Sequence, residues 1–556
     1  MERAGGGFAW SHQHNSPFEL TKIAVMDFAR RGSAPPSTPL TLHKPNPDGT
    51  ITTQTVNSVQ TYKYLGVHFD PRLSFNIHAD KAVSKATCKI SGGMPPIAVP
   101  AFTYAADVWY TGIHTIPHSP MTRGSKGTTT RLTSHIIGAL SLAASDTLEV
   151  HAHILPIDLL FHKVLFRATA RICTLPPSHP LHAIARRAAA RFVKKHKSPL
   201  HYLFHLTGLR PDLTETITPI RRPRNYEEDA LRVAQLVNNT AAVRVYNGIG
   251  AAAVLYEGTR VIAVRRYHLG SSKRYTVHNG ESVGIIMGLH LLLTFTRRLT
   301  GPVIIGCDNQ AVIRGLNNQQ SHSGHHLLDE IHNLEERLHA KQDGIARSAE
   351  RAIANRNERG SWKARRRGVI DLQLHWVPGH KDFEPNERAD REAKKAAQKL
   401  TSQAKDLPAY LRKKALPASV AALRQEYTAK LKRKWTKRWR KSPRSRHFGA
   451  IDKSAPSTKF LKTIDGYSRS QAAIIAQFRT NHTPLNQTLF PCPHCSGITV
   501  ETIRHYILDC PHYALARREL RNKLGRKAGE IPFLLGDKTG IKEFLRYVGA
   551  THRFKT

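Results

Sequence analysis

Apolar and polar residues alternate over residues 369 to 377, and this stretch is rich in residue types that favour strands. Such alternation predicts a half-buried β-strand, because successive side chains of a strand point to opposite faces. Pro378-Gly379-His380 ends the strand in a loop, and Asn386 is placed to cap a helix that carries Asp390 near its start. His380 and Asp390 are therefore candidate groups for metal-assisted hydrolysis, with an ordinary strand–loop–helix crossover as the alternative.

Hydrophobic periodicity predicts an α/β arrangement for residues 226 to 400. β-rich runs on both sides of Asn247-Gly248 predict a hairpin with a type I′ turn, and residues 260 to 269 predict a third strand. A helix over residues 277 to 296 follows, then a buried strand, a short helix and a long helical stretch over residues 325 to 359. The strand at residues 369 to 377 and its helix complete five strands with interleaved helices.

Three acidic residues occupy comparable positions in this arrangement. Glu281 lies near a helix start, Asp308 at the end of the buried strand and Asp390 near the start of the last helix. Side chains at such positions can converge at one edge of a sheet. Each acid taken singly also fits a helix cap or a solvated charge, so their order along the chain is the informative feature.

The remaining chain is predicted to be mostly helical. Residues 31 to 50 are rich in Pro, Ser, Thr and Gly and predict a loop, and residues 51 to 70 alternate and predict a hairpin. Helical spacing follows over residues 77 to 90, and the clearest later examples are residues 128 to 144 and 156 to 172. We therefore divide the chain into five regions, namely 1–90, 91–225, 226–400, 401–458 and 459–556.

The net charge of the chain indicates what kind of partner it binds. With 84 Lys and Arg against 41 Asp and Glu, the formal net charge is +43. Such a balance predicts a polyanionic partner, and nucleic acid is the first candidate. A basic surface without a partner and the anionic face of a membrane are the alternatives, and of these we expect no membrane partner. No apolar stretch has the length of a membrane span and the N-terminus has no apolar signal segment, so we expect an intracellular protein of the nucleus or cytoplasm. No small-molecule cofactor is indicated, and the oligomeric state stays open.

One basic stretch, residues 431 to 446, interleaves tryptophans with cations. The four-residue spacing of Trp435 and Trp439 puts both rings on one face of a helix. Cations on such a helix can contact phosphates while rings stack on unpaired bases. The candidate nucleic-acid-binding residues are Lys432, Arg433, Lys434, Trp435, Arg438, Trp439 and Arg440. The alternative is that the tryptophans pack on a neighbouring element and the charges are solvated.

Three of the six cysteines cluster near the C-terminus with a histidine, in the spacing C-x2-C-x9-H-x4-C. Two thiolates on a tight turn, with a His and a Cys from the next element, can complete a tetrahedral Zn²⁺ site. The predicted ligands are Cys492, Cys495, His505 and Cys510, with His494 and His512 as lower-ranked alternatives. Because the surrounding stretch is short and looks poor in apolar residues, we expect its fold to depend on the metal.

The order of motifs resembles the C-terminal part of a non-LTR retrotransposon reverse transcriptase polyprotein. The stretches WSHQHNSPFELTKIAVMDF, TYKYLGVHFDPRLSFNIHADKAVSKA and HILPIDLLFHKVLFRATARI resemble the segment that follows the polymerase palm in that family. The zinc spacing resembles the element that ends many such polyproteins. The polymerase site of the family needs adjacent aspartates, and this sequence has no Asp-Asp pair. The resemblance therefore implies a chain that begins after the palm and has no polymerase activity.

Residues 226 to 400, with WVPGHKDFEPNERADREAKKAA at their end, resemble the ribonuclease H domain of the same retroelements. That resemblance implies an α/β ribonuclease H-like domain with a mixed five-stranded sheet, flanked by a mainly helical N-terminal region and a small C-terminal zinc-binding helical region. It implies Mg²⁺ ligands at Glu281, Asp308 and Asp390 and a loop histidine at His380. The implied activity is hydrolysis of the RNA strand of an RNA–DNA hybrid by two metal ions.

The sequence departs from that pattern at the first strand. The family carries an Asp-Gly-Ser after that strand, whereas no acidic residue lies between Asp229 and Glu257. Relative to the family the hairpin is shortened, and the metal-binding Asp belongs to the missing piece, which an in-frame loss or a misdrawn intron would each remove. Asn247 is the nearest replacement, and a neutral amide oxygen is a poorer Mg²⁺ ligand than a carboxylate. We therefore expect impaired catalysis, with a non-catalytic RNA- or DNA-binding remnant as the alternative function. An interaction scaffold that binds no nucleic acid is disfavoured by the charge.

Overall fold

The computed structural model describes residues 1–28, 39–46, 48–91, 95–110, 143–191, 199–218, 232–234, 243–248, 250–299, 301–316, 320–357, 370–377, 384–412, 415–485, 491–495 and 499–554. The chain is a mixed α/β protein that divides into two compact units. The first unit combines Met1–Leu165 with Leu431–Thr556, and the second is Phe166–Lys430. The five regions assigned from the sequence are a finer division, and they stay a prediction.

The α-helices, in chain order, are α1 Gly7–Gln13, α2 Asn76–Ser91, α3 Pro95–Thr103, α4 Ala106–Trp109, α5 Ser145–His151, α6 Ile157–Cys173, α7 Pro180–Ala190, α8 Pro199–Thr207, α9 Val277–Leu293, α10 Gln310–Leu316, α11 His325–Asn357, α12 Glu384–Ala397, α13 Ala409–Arg412, α14 Val420–Arg440, α15 Arg444–Ile451, α16 Lys459–Ile464, α17 Arg469–Thr480, α18 Ala514–Leu524, α19 Ile531–Gly536 and α20 Lys538–Thr551. The strands are β1 Leu40–Pro45, β2 Ile51–Val56, β3 Tyr62–Tyr64, β4 Val67–Phe69, β5 Arg232–Ala234, β6 Val243–Gly248, β7 Ala252–Glu257, β8 Arg260–Arg266, β9 Pro302–Cys307 and β10 Asp371–Trp376. Within the described ranges, no helix is both long enough and apolar enough to cross a bilayer.

The second unit is built on a mixed sheet with the strand order β5-β10-β9-β6-β7-β8. β6, β7 and β8 pair antiparallel, whereas β6, β9, β10 and β5 pair parallel. The sheet has six strands rather than the five expected from the sequence, because β5 pairs with β10 at its edge. The carboxyl ends of β6, β9 and β10 therefore lie at the same side of the sheet, where β9 runs into Asp308.

Successive side chains of β7 pack against helices on opposite faces of this sheet. Ala253 and Leu255 belong to a core that also contains buried residues of α9 and α11, whereas Val254 and Tyr256 pack with Val377 and with Ala389 of α12. The period of two along a strand sends successive side chains to opposite faces. Helices α9 and α11 therefore cover one face and α12 the other, and both faces supply side chains to the strand ends.

Glu215 joins the segment before the sheet to two helix starts in this unit. Its side chain is fully buried. One carboxylate oxygen accepts from the Val420 backbone N–H at 2.6 Å and from the Ser323 hydroxyl, and the other accepts from the Gly324 N–H at 2.7 Å. Because the first N–H groups of a helix lack partners inside the helix, one carboxylate here satisfies the starts of both α11 and α14.

The first unit holds its own apolar cores. Aromatic rings of α3, α4 and α6 meet around Phe161, which stacks on Tyr110 with 3.9 Å between ring centroids. A second core joins α17, α18 and α20, where Phe478 lies 5.0 Å from Phe544 in an edge-to-face arrangement. The predicted helices over residues 77 to 90 and 156 to 172 are confirmed as α2 and α6, and the helix expected over residues 128 to 144 lies almost wholly outside the described residues.

Three local predictions near strands and helix ends are wrong. The loop expected over residues 31 to 50 contains β1, which pairs with β2, so the hairpin expected over residues 51 to 70 is only the short β3–β4 pair. Asn247-Gly248 does not form the turn, because the β6–β7 ladder continues to the Gly248–Ala252 pair. Asn386 does not cap α12, since that helix begins two residues earlier at Glu384. In the two strand cases the pairing partner, and not the local residue pattern, sets the observed bounds.

Two candidate metal centres

Helix α9 and strand β9 bring two of the predicted acids together at the sheet edge. Thr276 and Asn279 form a capping box that fixes the start of α9, so Glu281 falls in its second turn. At the end of β9, the Trp376 indole N–H donates to the Asp308 carbonyl at 3.1 Å, and Asn309 caps α10 through the Ala311 N–H at 3.0 Å. These contacts hold the strand end in place.

The resulting group contains a thiol as well as carboxylates. One ligand atom from each of Glu281, Cys307 and Asp308 lies within 4.8 Å of the others, and the Cys307 Sγ lies 4.0 Å from the Glu281 Oε2. Glu281 and Cys307 are fully buried, while Asp308 is half-buried. We call these three residues the acid–thiol cluster. Sequence reasoning singled out the acids but missed Cys307, although it directly precedes Asp308 in the chain.

Burial and two neighbouring carboxylates perturb Glu281. Burial first, then the charges of Asp308 and Asp390, raise its pKa to about 8. The Glu281 Oε1 is buried and has no hydrogen-bond partner among the described residues. Asp390 is itself only 5 % exposed, so its charge acts on Glu281 with little screening by water. A carboxyl group surrounded by other carboxylates in a dry site is characteristic of a position that favours a cation.

Helix α12 reaches this edge because the turn after β6 leaves it room. Gly250 has φ +123°, and a Cβ built there would lie 2.5 Å from the Ala393 carbonyl oxygen of α12. A side chain at this position would therefore push α12 away from the sheet. α12 is also tied to β8 by the buried Glu392, which pairs with Arg266 and with the Lys395 ammonium at 2.8 Å. The turn and this ion pair set where Asp390 lies.

Strand β6, the first of the predicted strands, ends beside the acid–thiol cluster but carries no acidic residue. Tyr246 of β6 pairs with Gly306 of β9, so Asn247 and Gly248 follow beside Cys307 and Asp308. The position at which the resemblance implies an Asp is thus next to the cluster along the backbone. His380, the predicted loop histidine, lies outside the described residues. Among the predicted residues of this site, the structure therefore places Glu281 and Asp308 within 4.8 Å of each other. Asp390 is not part of that group, although its charge raises the pKa of Glu281.

The second centre joins the four predicted cysteine and histidine ligands. One ligand atom from each of Cys492, Cys495, His505 and Cys510 lies within 4.8 Å of the others. The Cys510 Sγ is 3.9 Å from the Cys492 Sγ and 3.7 Å from the Cys495 Sγ, and the Cys495 Sγ is 3.4 Å from the His505 Nε2. A tetrahedron with Zn–S of about 2.3 Å and Zn–N of about 2.0 Å has S–S edges of about 3.8 Å and S–N edges of about 3.5 Å. The cluster can therefore hold a metal ion such as zinc.

Backbone hydrogen bonds shape this cluster without a metal ion. The Cys492 N–H donates to the Thr499 carbonyl at 2.7 Å, and the Cys510 N–H donates to the His505 carbonyl at 2.7 Å across one π-helical turn. The buried Arg517 guanidinium donates to the Cys510 carbonyl at 2.7 Å. The chain therefore presents the ligands in a geometry that needs little rearrangement.

Two expectations about this centre can be compared with the structure. The alternative ligands His494 and His512 stack on each other with 3.8 Å between ring centroids, and neither belongs to the group of four. The expectation that the region is poor in apolar residues is wrong, because Cys492 and Cys510 border the core formed by α17, α18 and α20. Burial of these apolar side chains is a source of stability besides any metal ion.

The basic helix α14 has buried tryptophans and exposed cations. Trp435 and Trp439 are only 3 % and 5 % exposed. Trp439 packs edge-to-face on Phe448, with 5.6 Å between the ring centroids. Both rings therefore pack within the protein, as the packing alternative expects, and offer no free face to bases. The Arg438 guanidinium makes two hydrogen bonds to the Asp158 carboxylate, at 2.8 and 2.7 Å. The predicted cations with exposed side chains are Lys432, Arg433, Lys434, Arg438 and Arg440.

Comparisons with protein-family models, with curated proteins and with solved structures find no match for this chain. The chemistry proposed for the two centres therefore rests on their own side chains, distances and burial.

Proposed function

We propose that this chain is a retroelement-derived, intracellular nucleic-acid-binding protein whose α/β unit carries a ribonuclease H-type metal site, with an RNA–DNA hybrid as its substrate. The observation that carries the proposal is the proximity of Glu281 and Asp308 at one edge of a mixed sheet, with Asp390 near enough for its charge to raise the pKa of Glu281. The motif order of the sequence supports it, since these acids occur in the order of a ribonuclease H domain. A zinc ion at the C-terminal cluster belongs to the same proposal.

Divalent magnesium, when bound at such a site, activates water and stabilises the leaving oxygen of the cleaved phosphodiester. The chain's own residues have narrower tasks. Glu281 and Asp308 supply carboxylate oxygens from a helix and a strand, and Asp390 adds negative charge from the opposite face of the sheet. The burial of Glu281 excludes water from one side of the site, which strengthens the attraction between its carboxylate and a cation.

The missing first-strand carboxylate limits this activity. In the resembled family that Asp is shared by both metal ions, so its loss weakens the whole site rather than one half of it. Asn247 occupies the adjacent backbone position with a neutral side chain. We therefore propose slow cleavage by the chain as it stands, with binding of the hybrid less affected because binding depends on basic surface.

A second candidate function is nucleic-acid binding without catalysis. The specific observation in its favour is the absence of any acid between Asp229 and Glu257. The net charge of +43 and the exposed cations of α14 supply a binding surface that does not need the metal site. The two candidates differ only in whether the sheet edge can hold metal in a productive arrangement.

The test compares the full chain with the variant Asn247→Asp on a labelled RNA–DNA hybrid in Mg²⁺ and in Mn²⁺. We expect faster RNA cleavage by Asn247→Asp, lost again when Asp308→Asn is added. Asn522→Asp, which adds the same charge on the exposed face of α18, is the matched control and should not change the rate. Equal rates for the wild-type chain and Asn247→Asp would refute the proposal for the first strand, and hybrid binding without cleavage in every variant would support the second candidate.

A further inference from the structure

A thiol stands within the carboxylate site, and this alters which cation the site favours. Cys307 belongs to the cluster that the proposed function uses, and its sulfur lies 4.0 Å from the nearer oxygen of Glu281. Hard cations such as Mg²⁺ prefer oxygen ligands and keep several waters, whereas Zn²⁺, Co²⁺ and Cd²⁺ accept sulfur with oxygen. A site that has one oxygen donor fewer than its resemblance implies and one sulfur more is shifted towards the second group.

Three observations besides the proximity of the groups point to a ligand there. Glu281 is fully buried, and its Oε1 has no hydrogen-bond partner among the described residues. A buried polar atom without a partner is costly, and a metal ion supplies the missing contact. Asp308 is half-buried at the rim, so an ion has a polar route into the site. The nearby charge of Asp390 adds to the negative potential.

We propose that the acid–thiol cluster binds one thiophilic divalent transition-metal ion, of the Zn²⁺ and Cd²⁺ class, through the Cys307 sulfur together with oxygens of Glu281 and Asp308. The proposal rests on the same carboxylates as the proposed function, but it does not require hydrolysis. The thiol proton leaves to solvent when the ion binds, as at other thiolate sites. The chain therefore holds two thiolate-containing metal centres, one in each compact unit.

The experiment uses the full chain, stripped of metal with a chelator under reducing conditions and titrated with Cd²⁺ alone. Equilibrium dialysis counts bound ions, and the ultraviolet thiolate-to-cadmium absorbance counts ligated thiolates. We expect two Cd²⁺ per chain and an absorbance that corresponds to four thiolates, three from the C-terminal cluster and one from Cys307. In Cys307→Ser the absorbance should fall by about one quarter, and the second Cd²⁺ should bind at least about tenfold more weakly.

Cys173→Ser is the matched control. Cys173 is also buried in the second unit, yet it is not part of either group of potential ligands. It should retain two Cd²⁺ and the full absorbance. Glu281→Gln is the second variant, because it keeps all thiols and removes a carboxylate; it should also lose the tight second Cd²⁺. A single Cd²⁺ per wild-type chain, or an unchanged titration in Cys307→Ser, would overturn the proposal.

These outcomes separate the inference from the proposed function. Two Cd²⁺ with dependence on Cys307, but no cleavage of hybrid by any variant, would leave the inference standing and remove the hydrolase. Cleavage by Asn247→Asp in Mg²⁺, with only one Cd²⁺ bound to the wild-type chain, would do the reverse.

Discussion

Replacing Glu281 by Gln should stabilise the second unit at neutral and alkaline pH and not at acidic pH. In the folded chain, burial and the charges of Asp308 and Asp390 raise the pKa of Glu281 from 4.5 to about 8. A carboxyl group whose pKa rises on folding contributes its full stability below pH 4.5 and loses it as pH rises towards 8. The amide introduced by Glu281→Gln never ionises, so the variant should not show this loss.

The size of the effect follows from the two pKa values. Each pH unit between them corresponds to about 1.4 kcal/mol. Between pH 4.5 and pH 7 the free energy of unfolding of the wild-type chain should therefore fall by about 3 kcal/mol relative to that of Glu281→Gln. Above pH 8 this difference in unfolding free energy should level off at about 5 kcal/mol. Any effect of the new amide on packing is a constant offset, so the pH dependence of the difference is the quantity to measure.

The assay is urea unfolding of the full chain in chelator at several pH values from 4.5 to 8.5. Since a chain of two units need not unfold in one step, hydrogen exchange of β9 and β10 should report the stability of the sheet. Adding a divalent transition metal at pH 8 should stabilise the wild-type chain more than Glu281→Gln, because bound cation removes the cost of ionising Glu281. A stability difference that is the same at pH 5 and pH 8 would refute the reasoning.

The other predictions concern the first unit and helix α14. In metal analysis of the chain as purified, Cys510→Ser should contain about one zinc ion per chain fewer than the wild-type protein, because the C-terminal cluster loses a ligand. Because that region has its own apolar core, circular dichroism should change little on chelation. Trp439→Ala should cost about 3–5 kcal/mol in urea unfolding because the ring is 5 % exposed, whereas Lys434→Gln should change stability by no more than about 0.5 kcal/mol. Replacing Lys432, Lys434 and Arg440 with Gln should lower the log–log salt slope of nucleic-acid binding by about 2–3, while Arg438→Gln, whose guanidinium already pairs with Asp158, should lower it by less than the others do singly. A slope that is unchanged in the triple variant would remove α14 from the binding surface.

Local sequence patterns predicted those elements whose signal lies within a few residues. The alternation before Trp376, the apolar run before Asp308 and the helical spacing around Phe161 each correspond to an observed strand or helix. The group of four cysteine and histidine side chains was also predictable, because a tight Cys492–Cys495 turn and a following helix fix the spacing that tetrahedral coordination of a metal ion needs.

The features that sequence reasoning missed depend on contacts between distant residues. β1 was hidden in a Pro- and Thr-rich stretch because its strand character comes from pairing with β2. The turn after β6 moved beyond Gly248 because the ladder with β7 extends that far. Cys307 reads as an ordinary buried strand residue until α9 places Glu281 against it. Propensity alone carries none of this information, since tertiary packing overrides it.

The buried Glu215 bears on the order in which this protein can mature during synthesis. Its partner at the start of α14, the Val420 N–H, lies 205 residues further along the chain. Until Val420 has left the ribosome, one oxygen of this carboxylate lacks its backbone donor, and burying it is costly. We therefore expect the second unit to close late, after its sheet strands have been made. A transcript that ends before codon 420 would then yield an open chain for the cell's proteases, not a smaller working protein.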